Sequence, residues 1–166
     1  LLRHLLSSTN KKLAIVMNEF GSVDIDAKII KGRNVDIAEL KGGCVCCSIS
    51  GEFELAVKEI IERTNPEHIV IETTGVVDPE SLIYDVRENM PYLKLDGVVC
   101  IIDCDSLVRY PEIGQTARIQ IEMADILLLN KTDLVKQEKI GEIEDKMKNL
   151  NKTSVIYKTV RCDIPS

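Results

Sequence analysis

Three cysteines, Cys44, Cys46 and Cys47, stand directly behind the pair Gly42-Gly43. Thiolate sulfur is a soft ligand suited to Zn²⁺, and also to Co²⁺ or Cu⁺. On an extended strand neighbouring side chains point to opposite faces, so the three sulfurs cannot all reach one ion there. The glycine pair permits an irregular loop that turns at least two of them inward. A tetrahedral site then takes its remaining ligand from elsewhere, such as Glu39, a water or a partner. Two other readings stay open: redox-active thiols, and small buried hydrophobes.

A second set of residues has the chemistry of a nucleotide site. Asn130-Lys-Thr-Asp133 follows the apolar run Ile126-Leu-Leu-Leu129. The Asp133 carboxylate can accept from both the N1–H and the exocyclic amine of guanine, a donor pair that adenine lacks. Asn130 can bond the base edge and neighbouring loops, and the Lys131 stem can lie over the base plane. Glu72-Thr-Thr-Gly75 ends another apolar run, Ile69-Val-Ile71. A carboxylate there can hold a Mg²⁺-bound water, and the Gly75 N–H can approach a γ-phosphate. Glu19, Asp24 and Asp26 lie where a switch loop would be. As hard ligands they can meet Mg²⁺ or its waters, and as ordinary loop acids they can simply be solvated.

Elements that can position these groups are legible in the pattern. Leu13–Met17, His68–Glu72, Gly97–Asp103 and Ile126–Leu129 are short apolar runs of the kind found in parallel strands buried on both faces. Val35–Leu40 and Val155–Lys158 are weaker strand candidates. Amphipathic helices are expected over 52–63 and 137–150, and further helices over 1–8, 118–124 and from Asp78-Pro79 to about Met90. Strands alternating with helices point to βαβ units and a parallel sheet. Ligands then gather beyond the carboxyl ends of the strands, where Asn18, Glu19, Glu72, Asp103, Asn130, Lys131 and Asp133 stand.

Composition agrees with one α/β domain over residues 1–166. The chain is 45% hydrophobic and 29% charged, and its net charge of −6 shows no basic stripe for nucleic acid. No apolar run is long enough to span a bilayer, and no secretory signal is visible, so the six cysteines read as reduced and the compartment as cytoplasmic. Cys100, inside an apolar run, reads as core. His4 and His68 read as packing or surface residues. A phosphate cradle of the form Gly-x-x-x-x-Gly-Lys-[Ser/Thr] does not occur in the sequence.

Asn18-Glu-Phe-Gly21, the Gly-Gly-Cys-Val-Cys-Cys-Ser48 run, Glu72-Thr-Thr-Gly75 with Pro79, Asp96-Gly97 leading to Asp103, and Ala124-Asp125 leading to Asn130-Lys-Thr-Asp133 resemble the CobW family of metal-chaperone GTPases. That family is similar to the urease and hydrogenase nickel-insertion GTPases. The resemblance implies a three-layer α/β P-loop NTPase-like domain with a mostly parallel sheet, in which Leu1–Leu6 resembles the helix after the phosphate loop. The first strand, the phosphate loop and a C-terminal domain are then expected to be missing. It also implies GTP hydrolysis coupled to delivery of a divalent metal, zinc or cobalt, to a client metalloprotein or cofactor-insertion complex. Asn130, Lys131 and Asp133 would read guanine, Glu72 and Gly75 would serve Mg²⁺ and the γ-phosphate, Glu19, Asp24 and Asp26 would form the switch, and Cys44, Cys46 and Cys47 would hold the cargo. A non-hydrolysing metal-binding module and a thiol-redox protein are the alternatives. Assembly is left open, a homodimer included.

Overall fold

A computed structural model describes residues 1, 2, 4, 5, 9–17, 35–39, 50–73, 75 and 79–164, with the backbone alone for 17, 35–39, 50 and 52. Glu19, Asp24, Asp26, Cys44, Cys46, Cys47 and the expected cap Asp78 lie outside the described residues. The chain divides into two compact units, one comprising Ser8–Val77 with Ser81–Lys94, the other Leu1–Ser7 and Asp78–Glu80 with Leu95–Ser166.

The first unit is built on a parallel sheet in the order β2-β1-β3, with β1 at Leu13–Met17, β2 at Val35–Glu39 and β3 at His68–Glu72. Leu13, Ala14, Ile15 and Val16 are all buried. This is the behaviour of a central parallel strand covered on both faces, and it explains why β1 is apolar without alternation. Helix α1, Ser50–Thr64, packs on β1 and β2 and buries Phe53, Val57 and Ile60 along one stripe. Asn65 closes it in the left-handed conformation, φ 44°, its N–H donating to Ile61 O at 2.7 Å, and Pro66 follows. Helix α2, Pro79–Asn89, buries Ile83 and Val86. The β1–β3 register sets Met17 opposite Glu72, so those two strands end level.

The second unit carries a second parallel sheet, β4-β5-β6, formed by Val99–Asp103, Ile126–Asn130 and Val155–Lys158. Leu127 and Leu129 of β5 enter a core with Cys104, Ile121, Ala124, Ile143 and Met147, against which Cys100 and Ile102 pack. Helix α3, Cys104–Arg109, starts where β4 ends. Helix α4 spans Gln115–Glu122, and α5, Gln137–Leu150, turns Ile140, Ile143 and Met147 inward at helical spacing. Asn151, buried behind α5, donates to the carbonyls of Ile121 (2.8 Å), Glu122 (3.2 Å) and Ala124 (2.8 Å) and accepts from Thr153 and Ser154. One side chain thus bonds the carbonyls of Ile121 and Glu122 at the end of α4 and that of Ala124 just beyond it, groups that a helix end leaves short of partners.

Two expectations shift, and one helix is new. The strand expected at 97–103 begins at Val99, because the Val98 N–H is taken by Asp125 Oδ2 at 2.7 Å and its carbonyl accepts from Asp125 and Ile126. The helix expected over 118–124 runs from Gln115 to Glu122. The six-residue α3 was not expected at all. Of the N-terminal helix, Leu2, His4 and Leu5 are helical. Among the described residues no helix is long and apolar enough to cross a membrane.

Candidate functional site

The Asn130–Asp133 segment lies at the carboxyl end of β5, as its sequence requires. Lys131 adopts a left-handed backbone, φ 60° and ψ 34°, and Thr132–Leu134 forms a single 3₁₀ turn. A non-glycine residue there costs on the order of 1–2 kcal/mol unless its surroundings hold it. The surroundings are specific. The Thr132 N–H and hydroxyl both donate to Thr159 O, at 3.3 and 3.0 Å. Asn130 Oδ1 accepts from Thr159 Oγ1 at 3.2 Å and from the Cys162 N–H at 2.8 Å. Thr159 N–H donates to Leu129 O at 2.8 Å. The segment after β6 is therefore the second half of this site. It contains two more left-handed residues, Arg161 (φ 54°) and Cys162 (φ 56°), and the His4 Nε2–H donates to Arg161 O at 3.1 Å.

The roles of the three motif residues separate. Asn130 spends its oxygen bracing the Thr159–Cys162 segment, while its Nδ2 has no hydrogen bond among the described residues. The Asp133 carboxylate is exposed and unengaged among the described residues. Lys131 reaches across the sheet end to Asp103, Nζ to Oδ2 at 2.6 Å. Asp103 stands in register with Asn130 and also caps α3, its Oδ1 accepting from the Ser106 N–H at 3.0 Å. Partial burial alone would raise the Asp103 carboxyl, but the hydrogen bonds from Lys131 and Ser106 outweigh it and hold it below the usual carboxylate range. The Lys131 ammonium is raised, first by that hydrogen bond and then by attraction to Asp103.

Glu72 ends β3 and is exposed, and Gly75 sits in an exposed turn where an added Cβ would meet no atom of the described residues within 4 Å. Both belong to the first unit, whereas Asp103, Asn130, Lys131 and Asp133 are brought together in the second. Cys100 and Cys104 behave as core: burial pushes each thiol up to about 11, with the Asp103 charge adding to the effect at Cys104. Cys162 is also buried. Among the described residues no group of three His, Cys, Asp or Glu side chains is placed to hold a metal ion.

Sequence reasoning missed two contributors. Asp103 was visible only as one strand-ending acid among several. Thr159–Cys162 carried no glycine to betray its left-handed turn. The signal available for both was their place at the carboxyl ends of β4 and β6.

The chain is similar to proteins of known name. The chain is 31% identical over 174 residues to the zinc chaperone YjiA of Escherichia coli, covering 99% of this chain and 54% of that protein. It is 32% identical over 175 residues to zinc-regulated GTPase metalloprotein activator 1 of Schizosaccharomyces pombe, covering 96% and 42%. The chain thus spans about half the length of the curated relatives it matches. The crystal structure of Zn(II)-bound YjiA GTPase superimposes with a TM-score of 0.67 at 22% identity, over 99% of this chain and 54% of that one. HypB from Helicobacter pylori in complex with nickel gives 0.58 at 16% identity, over 98% and 72%. These are likenesses of fold, and they agree with the expected P-loop GTPase architecture. The model of the CobW/HypB/UreG nucleotide-binding domain matches residues 1–158, and the chain belongs to that family.

Proposed function

We propose that this chain is the nucleotide-binding part of a GTP-dependent metallochaperone, which hydrolyses GTP to deliver Zn²⁺ or Co²⁺ to a client metalloprotein. The observation that carries the guanine reading is the exposed, unengaged Asp133 carboxylate on a turn braced from two sides. A buried or paired carboxylate could not offer both acceptors to guanine. Asn130 Nδ2, without a hydrogen bond among the described residues, adds a donor on the same segment. Glu72, exposed at the end of β3, fits a hard cation such as Mg²⁺ through water, and among the described residues no atom would crowd a Cβ at Gly75, where a phosphate would need close approach. Bound there, Mg²⁺ would neutralise phosphate charge. Glu19, Asp24 and Asp26 form the switch in this reading. Cys44, Cys46 and Cys47 take the cargo metal as substrate, thiolate preferring zinc with cobalt close behind. Because one stretch of chain links Asp26 to Cys44, ordering of the switch by nucleotide can assemble the thiolate site. A reducing, cytoplasmic setting suits chemistry that depends on free thiols.

Two measurements test the proposal. The first is GTP affinity in Mg²⁺ for this chain and for one extended at its N-terminus by a phosphate loop. The expected result is weak binding by the short chain and recovery in the long one; micromolar binding by the short chain refutes the need for the added loop. The second is equilibrium dialysis with Zn²⁺ and Co²⁺ in the GTP and GDP states of the extended chain. Equal metal affinity in both states removes the coupling and favours a plain metal-binding module. Reversible disulfide formation without stoichiometric metal favours thiol-redox chemistry.

A further inference from the structure

The second unit holds an ion pair whose energetics do not account for its construction. Lys131 Nζ and Asp103 Oδ2 are 2.6 Å apart, yet the lysine is about half exposed, and exposed pairs contribute little to stability. What is unusual is how firmly the acceptor is fixed. Asp103 is the last residue of β4, in register with Asn130 across the sheet. Its other oxygen is held by the Ser106 N–H at 3.0 Å, in the N-cap geometry of α3, φ −78° and ψ 100°. The neighbouring cation, Arg109, is itself paired with Asp105 and does not compete for Asp103. The donor is equally constrained at its root, since the left-handed Lys131 backbone is braced through Thr132 to Thr159. A long, rotamer-rich side chain is thereby held at both ends.

We propose that Asp103 is a positioning residue of the guanine site: by pinning the Lys131 ammonium at the end of β4, it presents the lysine stem in one pose as a wall for the base plane. This rests on the guanine reading above. A lysine stem free in solution loses rotamer freedom when a base docks against it, and that loss weakens binding. Pinning it beforehand moves the loss from binding to folding. The bland alternative is a surface pair that only caps and steadies α3.

The two roles separate by substitution. Asp103→Asn keeps a side-chain oxygen for the Ser106 N–H, since asparagine is as good an N-cap as aspartate, but removes the charge that holds Lys131. Lys131→Met keeps an unbranched stem and removes the ammonium. The probe is guanosine, which carries no phosphate, titrated into the chain and followed by the amide NMR shifts of residues 131–133, with adenosine as control. The unsubstituted chain is expected to respond to guanosine and not to adenosine. Asp103→Asn is expected to weaken guanosine by about threefold to tenfold, the effect of leaving one long side chain to be immobilised on binding. Lys131→Met should weaken it to a similar extent, and the double variant no further, because both substitutions remove one interaction. Thermal stability of Asp103→Asn should be unchanged. Unaltered guanosine affinity in Asp103→Asn, or effects that multiply in the double variant, overturns the positioning role while leaving the guanine site standing. Absence of any guanosine preference in the unsubstituted chain overturns the guanine site, and the role of Asp103 with it.

Discussion

Replacing Asn130 by alanine isolates what its side chain does in the folded chain. Its Oδ1 is the acceptor for the Cys162 N–H at 2.8 Å and for the Thr159 hydroxyl at 3.2 Å. Thr159 has a second, longer acceptor in Leu129 O at 3.4 Å, so its hydroxyl is only partly deprived. The Cys162 N–H belongs to a buried residue and would be left without this partner. An orphaned buried donor costs about 1–3 kcal/mol. The same bond also holds two consecutive left-handed residues, Arg161 and Cys162, whose backbone would otherwise relax. A total of about 2–3 kcal/mol follows, which for a chain of this size lowers Tm by about 4–12 °C. Asn130→Asp is the paired control. A carboxylate can still accept both hydrogen bonds, and the like charge of Asp103 opposite it should cost less than about 1 kcal/mol. Thermal unfolding followed by circular dichroism compares the two. An alanine variant as stable as the parent, or an aspartate variant as unstable as the alanine one, refutes the bracing role.

Other outcomes follow from the same geometry. Asp133→Asn offers one acceptor and one donor in place of two acceptors, so it should shift base preference from guanosine towards xanthosine, whose C2 carbonyl replaces the amine; retained guanosine preference in a competition titration removes Asp133 from the site. Asn151→Ala deprives carbonyls at the end of α4 and N–H groups at 153 and 154 of their shared partner, and should cost about 2–4 kcal/mol in urea unfolding; a loss under about 0.5 kcal/mol means water replaces it fully. Cys100 and Cys104 thiols, raised from 9.0 to about 11, should alkylate about a hundredfold more slowly than an ordinary thiol at pH 8 in the native chain. Because the folded state keeps the proton longer than the unfolded one, their contribution to stability is complete below pH 9 and lost as pH rises towards 11; stability that is flat across that window contradicts the burial of these thiols. Cys46→Ser should weaken Zn²⁺ binding most in the GTP state of the extended chain, measured by competition with a chromogenic chelator.

Much of this was legible because buried parallel strands announce themselves. Leu13–Val16 and Leu127–Leu129 are apolar without alternation, and each proves to be the central strand of its sheet. The Asn130–Asp133 motif was readable from residue type and from the strand before it. What escaped was non-local. The partner of Lys131 lies 28 residues away, and no local pattern marks it. Helix α3 was hidden because its N-cap doubles as the end of a strand, so Asp103 read as a terminating acid. The left-handed pair Arg161-Cys162 is held because the Cys162 N–H donates to Asn130 Oδ1 and the Arg161 carbonyl accepts from His4, not by any permissive residue of its own. Val98 reads as strand, but a single carboxylate, Asp125, takes its N–H and leaves only its carbonyl to bond β5.

The three cysteines described in the fold have a consequence for metal handling during synthesis. An unfolded chain offers a metal ion all six thiols at ordinary acidity, and soft ions would be scavenged at random among them. Folding withdraws Cys104 and Cys162 into the interior and partly covers Cys100, and it holds the protons of Cys100 and Cys104 to about pH 11. A zinc ion captured early by one of these must be released before the core of the second unit can close. Metal bound to these thiols therefore competes with closure of the interior around them, and the folded state favours metal-free Cys104 and Cys162.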